Sequence, residues 1–165
     1  MAHSYLLALA IALTISTSAV SAKDNASGAF LKKAIEGNYA EVRMGELAQK
    51  NSQRDDVKAF GQTLVNDHDA ANQKAIDAAK SMNINPPTGP NAKQEAEYDK
   101  MSKMTGAKFD KMFASHMVSD HEKDIAEYKK ESRMKNAAGE YAAAEIPTLE
   151  KHLDAAKSLS SSKSK

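Results

Sequence analysis

The sequence predicts an all-α protein, and three observations lead to that prediction. Aromatic residues make up only 5% of the 165 residues, and alanine, lysine and glutamate outnumber β-branched residues, which favours helices over strands. Apolar side chains recur at three- and four-residue intervals in four long segments. One stretch rich in proline and glycine, residues 83–90, separates the second segment from the third. These features favour a four-helix bundle with a Pro-rich connection between its second and third long helices.

Both ends of the chain differ in composition from this bundle. Residues 1–22 are predicted to be a signal peptide, because an apolar run over 5–15 is followed by Val20-Ser21-Ala22, a form that signal peptidase accepts. The run is too short to cross a bilayer. It is preceded by no lysine or arginine, which leaves an uncleaved membrane anchor as the alternative. The bundle domain is expected over 23–159, and the Ser/Lys-rich tail 160–165 is expected to be disordered.

The first two long helices are predicted over about 28–50 and 53–82, after loose polar residues 23–27. Ser52 is expected to cap the second helix, with Asp55 three residues further on. The apolar face of the first helix carries Leu31, Ala34, Ile35, Val42, Gly45 and Ala48. That of the second helix carries Val57, Phe60, Leu64, Ala71, Ala75, Ala79 and Met82.

After the proline-rich stretch, Asn91 is predicted to cap a short helix that ends at about Met104, with Gln94 in the third position. Thr105 and Gly106 then interrupt the pattern before the third long helix, which is predicted over about 107–134. Residue 136 is an asparagine suited to cap the fourth long helix, predicted over 137–159. Pro147 lies inside that helix, and its missing backbone donor predicts a kink there.

Charge and motifs exclude several classes of function. The formal net charge is +1, and charged residues of both signs are spread along the chain, so nothing indicates binding to nucleic acid or to a membrane surface. The chain has no cysteine, and therefore neither disulfides nor a lipid-modified cysteine anchor. It contains no Gly-x-Ser-x-Gly, no His-Glu-x-x-His and no phosphate-binding glycine loop. Di-iron bundles place Glu three residues before His, a pattern that no histidine here shows, so a standard di-iron oxidase or ferroxidase centre is disfavoured. The question of an enzymatic role stays open, and the absent motifs favour a non-catalytic protein.

A repeated segment marks the candidate site. The pattern Phe-x-x-x-Leu/Met-Val-x-Asp-His occurs at 60–68 and again at 113–121, in the second and third long helices. Projection of each helix at about 100° per residue places several polar side chains on the inner side of the bundle. They are three histidines and four carboxylates: His68, His121, His152, Glu41, Asp120, Asp124 and Glu145.

Two interpretations account for these inward polar groups, since an isolated buried charge is very costly. In the first, the histidines ligate a transition metal ion (Zn, Fe or Cu) and the carboxylates are co-ligands or orient the rings. In the second, the same groups form a purely structural hydrogen-bond network in an envelope stress or interaction protein. A separate soft-metal site is also conceivable where Met112 and His116, and likewise Met117 and His121, stand four residues apart. Methionine at helical spacing is, however, usually core filler.

Several of these motifs resemble a known family in order and spacing, including the proline inside a helix. The sequence is similar, over about residues 30–156, to the exported bacterial proteins of the DUF4142 family. This resemblance implies a ferritin-like four-helix bundle located in the periplasm or outer envelope, with no established activity. The motifs are Glu41-Val42, Gly45-x-Leu47-Ala48, Leu64-Val65-x-Asp67-His68, Met117-Val118-x-Asp120-His121 and Ile146-Pro147-Thr148-Leu149-x-x-His152-Leu153.

Overall fold

The residues that the structure describes fold into five α-helices. The computed structural model describes residues 17–161, with side chains from Asp24 onward. The helices are α1 (Thr17–Asn51), α2 (Asp55–Ser81), α3 (Ala92–Ser102), α4 (Gly106–Glu131) and α5 (Ala137–Ser161). Within these described residues there is no β-strand, which confirms the all-α prediction. Residues 1–16 of the predicted signal peptide and 162–165 of the predicted tail lie outside the described residues.

Contacts between helix ends define the connectivity of the bundle. The start of α1 lies beside the end of α4, where the Ser27 hydroxyl donates to Glu131. The start of α2 lies beside the end of α5, where Arg54 donates to the backbone carbonyl of Leu159. Since α1 is antiparallel to both α2 and α4, the helices α2 and α4 run in the same direction. A single long crossover joins them, which is compatible with a ferritin-like bundle.

That crossover contains α3, which lies against α1. Asn91 caps α3 with a complete capping box: its side chain accepts from the backbone of Gln94, and the Gln94 side chain accepts from the backbone N–H of Asn91. Four polar contacts attach this segment to α1. They are an ion pair between Arg43 and Glu95, a 3.0 Å hydrogen bond from Asn91 to Glu36, and hydrogen bonds from the Asn51 amide to the backbone carbonyls of Ser102 and Met104. The crossover therefore covers the side of the bundle on which α1 and α4 meet.

The observed boundaries correct two local predictions. Residues 24–27 are not loose but belong to α1, because Ser27 is buried against the end of α4. Ser52 is not the N-cap of α2, a position that Arg54 occupies. The Ser52 hydroxyl instead accepts a 3.0 Å hydrogen bond from the Arg54 backbone. Pro147 lies inside α5. The helix α4 ends at Glu131, three residues before its predicted end.

The core consists of two apolar clusters with a polar layer between them. One cluster includes Phe30, Leu31, Ile35, Tyr128, Tyr141 and Leu149. The other includes Val57, Phe60, Leu64, Phe109, Phe113 and Met117. The two copies of the repeated segment face each other across this core in the same register: the Phe60 and Phe113 ring centroids are 6.1 Å apart, and those of His68 and His121 are 5.8 Å apart.

Two glycines let α1 and α2 approach closely. A Cβ atom on Gly45 would lie 2.4 Å from the carbonyl oxygen of Gly61 and 2.9 Å from the Val65 side chain. Backbone atoms cannot move aside as a flexible side chain can. The α1–α2 packing therefore requires glycine at position 45.

We predict that Gly45→Ala lowers the free energy of unfolding by about 1–3 kcal/mol, because overpacking outweighs the better helix propensity of alanine. Gly37→Ala in the same helix is the matched control, since a Cβ there meets nothing within 4 Å. It should stabilise the protein by up to about 1 kcal/mol. Urea unfolding followed by circular dichroism measures both, and equal shifts for the two variants would contradict the close-packing explanation.

Candidate metal centre

Three buried imidazoles from three helices meet in the polar layer. His68 of α2, His121 of α4 and His152 of α5 are each at most 4% exposed. Their ring centroids are 5.2 to 5.8 Å apart. Each residue offers one ring nitrogen, and these nitrogens lie within 4.8 Å of one another. The structure thus brings together the three histidines that the sequence singled out.

Two of the rings are oriented by neutral acceptors. The Nδ1 of His68 lies 3.0 Å from Oδ1 of Asn38, whose amide nitrogen donates to the Tyr141 hydroxyl. The Nδ1 of His121 lies 2.9 Å from the backbone carbonyl oxygen of Met117, one turn earlier. Because both partner oxygens can only accept, these contacts assign the ring proton to Nδ1 and leave Nε2 of each ring as a lone pair.

A carboxylate orients the third ring. The Nε2 of His152 lies 2.9 Å from Oδ2 of Asp67, so it is protonated, and in a neutral ring Nδ1 is then the lone pair. That atom lies 3.3 Å from Nε2 of His121. Two lone pairs at this distance repel unless a proton or a cation lies between them. A tetrahedral ion with metal–nitrogen bonds of about 2.0–2.1 Å separates its ligand nitrogens by about 3.3–3.4 Å, which matches the observed spacing.

Burial keeps the imidazoles in the state that ligates metals. Desolvation, then the neighbouring His121 and His152, lower the pKa of His68 well below its ordinary value. Desolvation and His152 lower the pKa of His121 to about 4. Both rings are therefore neutral at pH 7. The Nε2 of His68 is a buried atom with no hydrogen-bond partner, as an unoccupied ligand atom would be.

A cleft of about 260 Å³ between α1, α3 and α4 reaches His68. It runs from the partly exposed His116 to the buried carboxylate of Glu41, whose Oε2 also lacks a partner. Desolvation, then Asp124 and Asp120, raise the pKa of Glu41 well above its ordinary value. Desolvation, then Asp120, raise the pKa of Asp124 to about 7. Among the described residues, the buried Glu41 carboxyl thus has no ion pair, whereas Lys33, Lys93 and Lys123 at the cleft lie beside other acidic groups.

The four predicted carboxylates occupy different places around the histidines. Glu41 and Asp124 line the cleft with His68 but are outside the three-histidine group. Glu145 is buried, and its charge is paired with Lys74 at 2.8 Å. Asp120 belongs to a different group: its Oδ2 lies 3.3 Å from Nε2 of His116.

The possible soft-metal pairs are also separated. His116 faces Glu97 and Asp120, whereas Met112 packs against the apolar cluster that contains Phe109. His121 meets Met117 through the Met117 backbone oxygen.

Sequence reasoning missed the acceptors that hold the rings. Asp67 lies on the flank of the α2 apolar face, yet it reaches His152 on α5. Asn38 lies on the inner side of α1, one turn before Glu41. That inward position is the only feature of the sequence that could have indicated its contact with a histidine. Both residues belong to the centre because each contacts one nitrogen of a histidine ring. That contact fixes the direction in which the other nitrogen of the same ring points.

Fold and site together define a class: an all-α bundle whose core holds a three-histidine cluster that could bind a metal ion. The chain belongs to the DUF4142 family, described as a domain of unknown function, whose model matches residues 12–159. This match confirms the resemblance seen in the sequence motifs. No curated protein and no solved structure matches the chain. Among the described helices, none is both long and apolar enough to cross a membrane.

The raised pKa of Asp124 predicts a pH-dependent stability. This carboxyl has a pKa of about 7 when folded against an ordinary 3.8. It therefore takes up a proton on folding between those values, and its stabilising contribution at low pH is lost as the pH rises to about 7. In metal-free protein, we expect Asp124→Asn to become more stable relative to the wild type as the pH rises. The difference in the free energy of unfolding, variant minus wild type, should increase by roughly 1–3 kcal/mol between about pH 4 and 7.

Urea unfolding across that pH range measures the difference. Asp77→Asn on the exposed face of α2 is the matched control, and its difference from the wild type should stay flat. A flat difference for Asp124→Asn as well would show that Asp124 does not retain a proton in the cleft.

Proposed function

We propose that this protein binds a transition metal ion through His68, His121 and His152. The observation that carries the proposal is the convergence of three buried imidazole nitrogens whose rings are each held from behind by an acceptor. Imidazole suits Zn, Cu and Fe. Three histidine ligands leave a fourth position for water or another small ligand, as in carbonic anhydrase-type zinc sites.

The surroundings support a cation rather than an empty polar pocket. The His152–Asp67 contact has the carboxylate–histidine form that orients metal ligands and raises their basicity. Glu41 and Asp124 place acidic groups beside His68 in the cleft. A bound cation would favour the ionised form of these carboxyls, whose pKa values are raised in its absence.

The alternative is a structural network without metal. A proton would then lie between His121 and His152, and the charged His152 would pair with Asp67. That arrangement satisfies these groups, but among the described residues it leaves Nε2 of His68 buried without a partner. Each orphaned buried polar atom costs about 1–3 kcal/mol, so the metal site accounts for more of the geometry.

We predict that Zn²⁺ raises the melting temperature of the metal-free protein, since a ligand of the folded state adds about 2.7 kcal/mol at a hundredfold excess over its Kd. The triple variant His68→Ala, His121→Ala, His152→Ala should lose most of the effect. Thermal unfolding with Zn²⁺, Cu²⁺ or Fe²⁺ is the measurement. If none of these ions changes the transition, or if the triple variant responds as the wild type does, the proposal is wrong.

Three single substitutions test ligation and folding. Asp67→Ala should raise the Kd for Zn²⁺ about 10- to 100-fold. It should also lower the free energy of unfolding of the metal-free protein by about 1–3 kcal/mol, because it leaves the buried Nε2–H of His152 without its acceptor. His116→Ala removes an imidazole outside the three-histidine group and should leave the tightest binding step unchanged. His68→Ala is informative without metal: strong destabilisation of the metal-free protein would favour the structural network.

We also propose that the protein is exported to the periplasm or outer envelope. The apolar run over 5–15 and the small residues ending at Ala22 support this proposal. Intact-mass analysis of the protein from fractionated cells of the source bacterium tests it, and we expect an envelope species that starts at Lys23. A species that retains residues 1–22 in the membrane fraction would instead indicate an uncleaved anchor, and a cytoplasmic one would exclude export.

A further inference from the structure

We infer that Glu97, His116 and Asp120 form a second, outer site for a divalent cation at the mouth of the cleft. Glu97 comes from α3, whereas His116 and Asp120 stand one turn apart on α4. One ligand atom from each lies within 4.8 Å of the other two. The Nε2 of His116 is 3.3 Å from Oδ2 of Asp120 and 4.0 Å from Oε2 of Glu97.

Neighbouring lysines leave these oxygens available. Lys93 pairs with Oε1 of Glu97 at 3.9 Å, and Lys123 pairs with Oδ1 of Asp120 at 3.4 Å. Both lysines are more than two-thirds exposed, at 84% and 67%, so the two ion pairs contribute little. The second oxygen of each carboxylate faces His116.

An independent observation at the same cleft indicates a cation. Glu41 is 5% exposed, lines the cleft together with Glu97, His116 and Asp120, and has a buried Oε2 without a partner. An unpaired carboxylate oxygen inside a cavity is a costly arrangement that a hydrated cation would relieve. His68 lines the same cavity, so the outer site stands on the path to the three histidines.

The donor set indicates the kind of ion. Two carboxylates and one imidazole form a harder set than three imidazoles, suited to Zn²⁺, Mn²⁺ or Fe²⁺. The three groups are all partly exposed, so water completes the coordination and the ion exchanges readily. The outer site should therefore be weaker than the inner one. The role of the outer site on a path to the three histidines rests on the proposed function. The existence of the outer site does not.

Isothermal titration with Zn²⁺ at neutral pH tests this inference on the full chain. We expect two ions per chain for the wild type and one for His116→Ala, with the tighter step unchanged. Glu97→Gln should weaken the second step at least tenfold. Glu122→Gln is the matched control, an exposed α4 carboxylate paired with Lys157 away from the cleft, and should change neither step.

The possible outcomes separate the two sites. One ion per chain that His116→Ala leaves in place, and that the triple histidine variant loses, would overturn the outer site while the proposed function stands. A single ion per wild-type chain that survives in the triple variant but is lost in His116→Ala supports the outer site and excludes the inner one. A second step that Glu97→Gln and Glu122→Gln weaken equally is nonspecific binding and overturns the inference.

Discussion

Three buried imidazole rings are the constraint on which the other polar positions of the core depend. A neutral ring carries one proton, and in an apolar interior that proton needs an acceptor. The bundle supplies three different acceptors: the amide of Asn38, the backbone of α4 at Met117 and the carboxylate of Asp67. The apolar clusters on either side hold the rings in place, as Phe60 does against His152 with ring centroids 6.0 Å apart. These contacts fix the direction of each ring, and one nitrogen from each of the three rings lies within 4.8 Å of the other two.

The asymmetry of the bundle determines how this centre can be reached. Glycines at 45 and 61 bring α1 and α2 into close contact, and α5 packs against both α2 and α4. The α1–α4 side is less tightly packed, and the cleft lies there. The crossover helix α3 lies along that side and adds its own polar residues to the cleft wall. One structural feature, the parallel arrangement of α2 and α4, both places the repeated histidines opposite each other and requires the crossover that covers them.

Much of this could be predicted from the sequence, because hydrophobic periodicity reports the angle of a residue around its own helix. The repeat indicated equivalent positions for His68 and His121, and the helical projection predicted that His152 points toward the same interior. The angle does not say which helix lies opposite, so the partners of the polar side chains could not be predicted. Asp120, expected as a co-ligand or orienter of the inner histidines, groups with His116 and with Glu97 of α3, and no local pattern revealed the path of α3 over the α1–α4 side. Asp67 lies on the flank of the α2 apolar face, and only the neighbouring α5 makes that flank part of the centre.

The difference between the two sides of His68 has a kinetic consequence. The cleft offers about 260 Å³ on one side, whereas the cavity that His68 shares with Glu145 and His152 on the other side measures about 10 Å³, roughly the space of one water molecule. An ion held by the histidines would therefore enter and leave along the cleft, past α3. Its residence time would depend on how firmly Arg43 and Asn91 hold α3 to α1, while its equilibrium affinity would depend on the three rings and their acceptors. Rate and affinity would then be controlled by different helices and could change independently of each other.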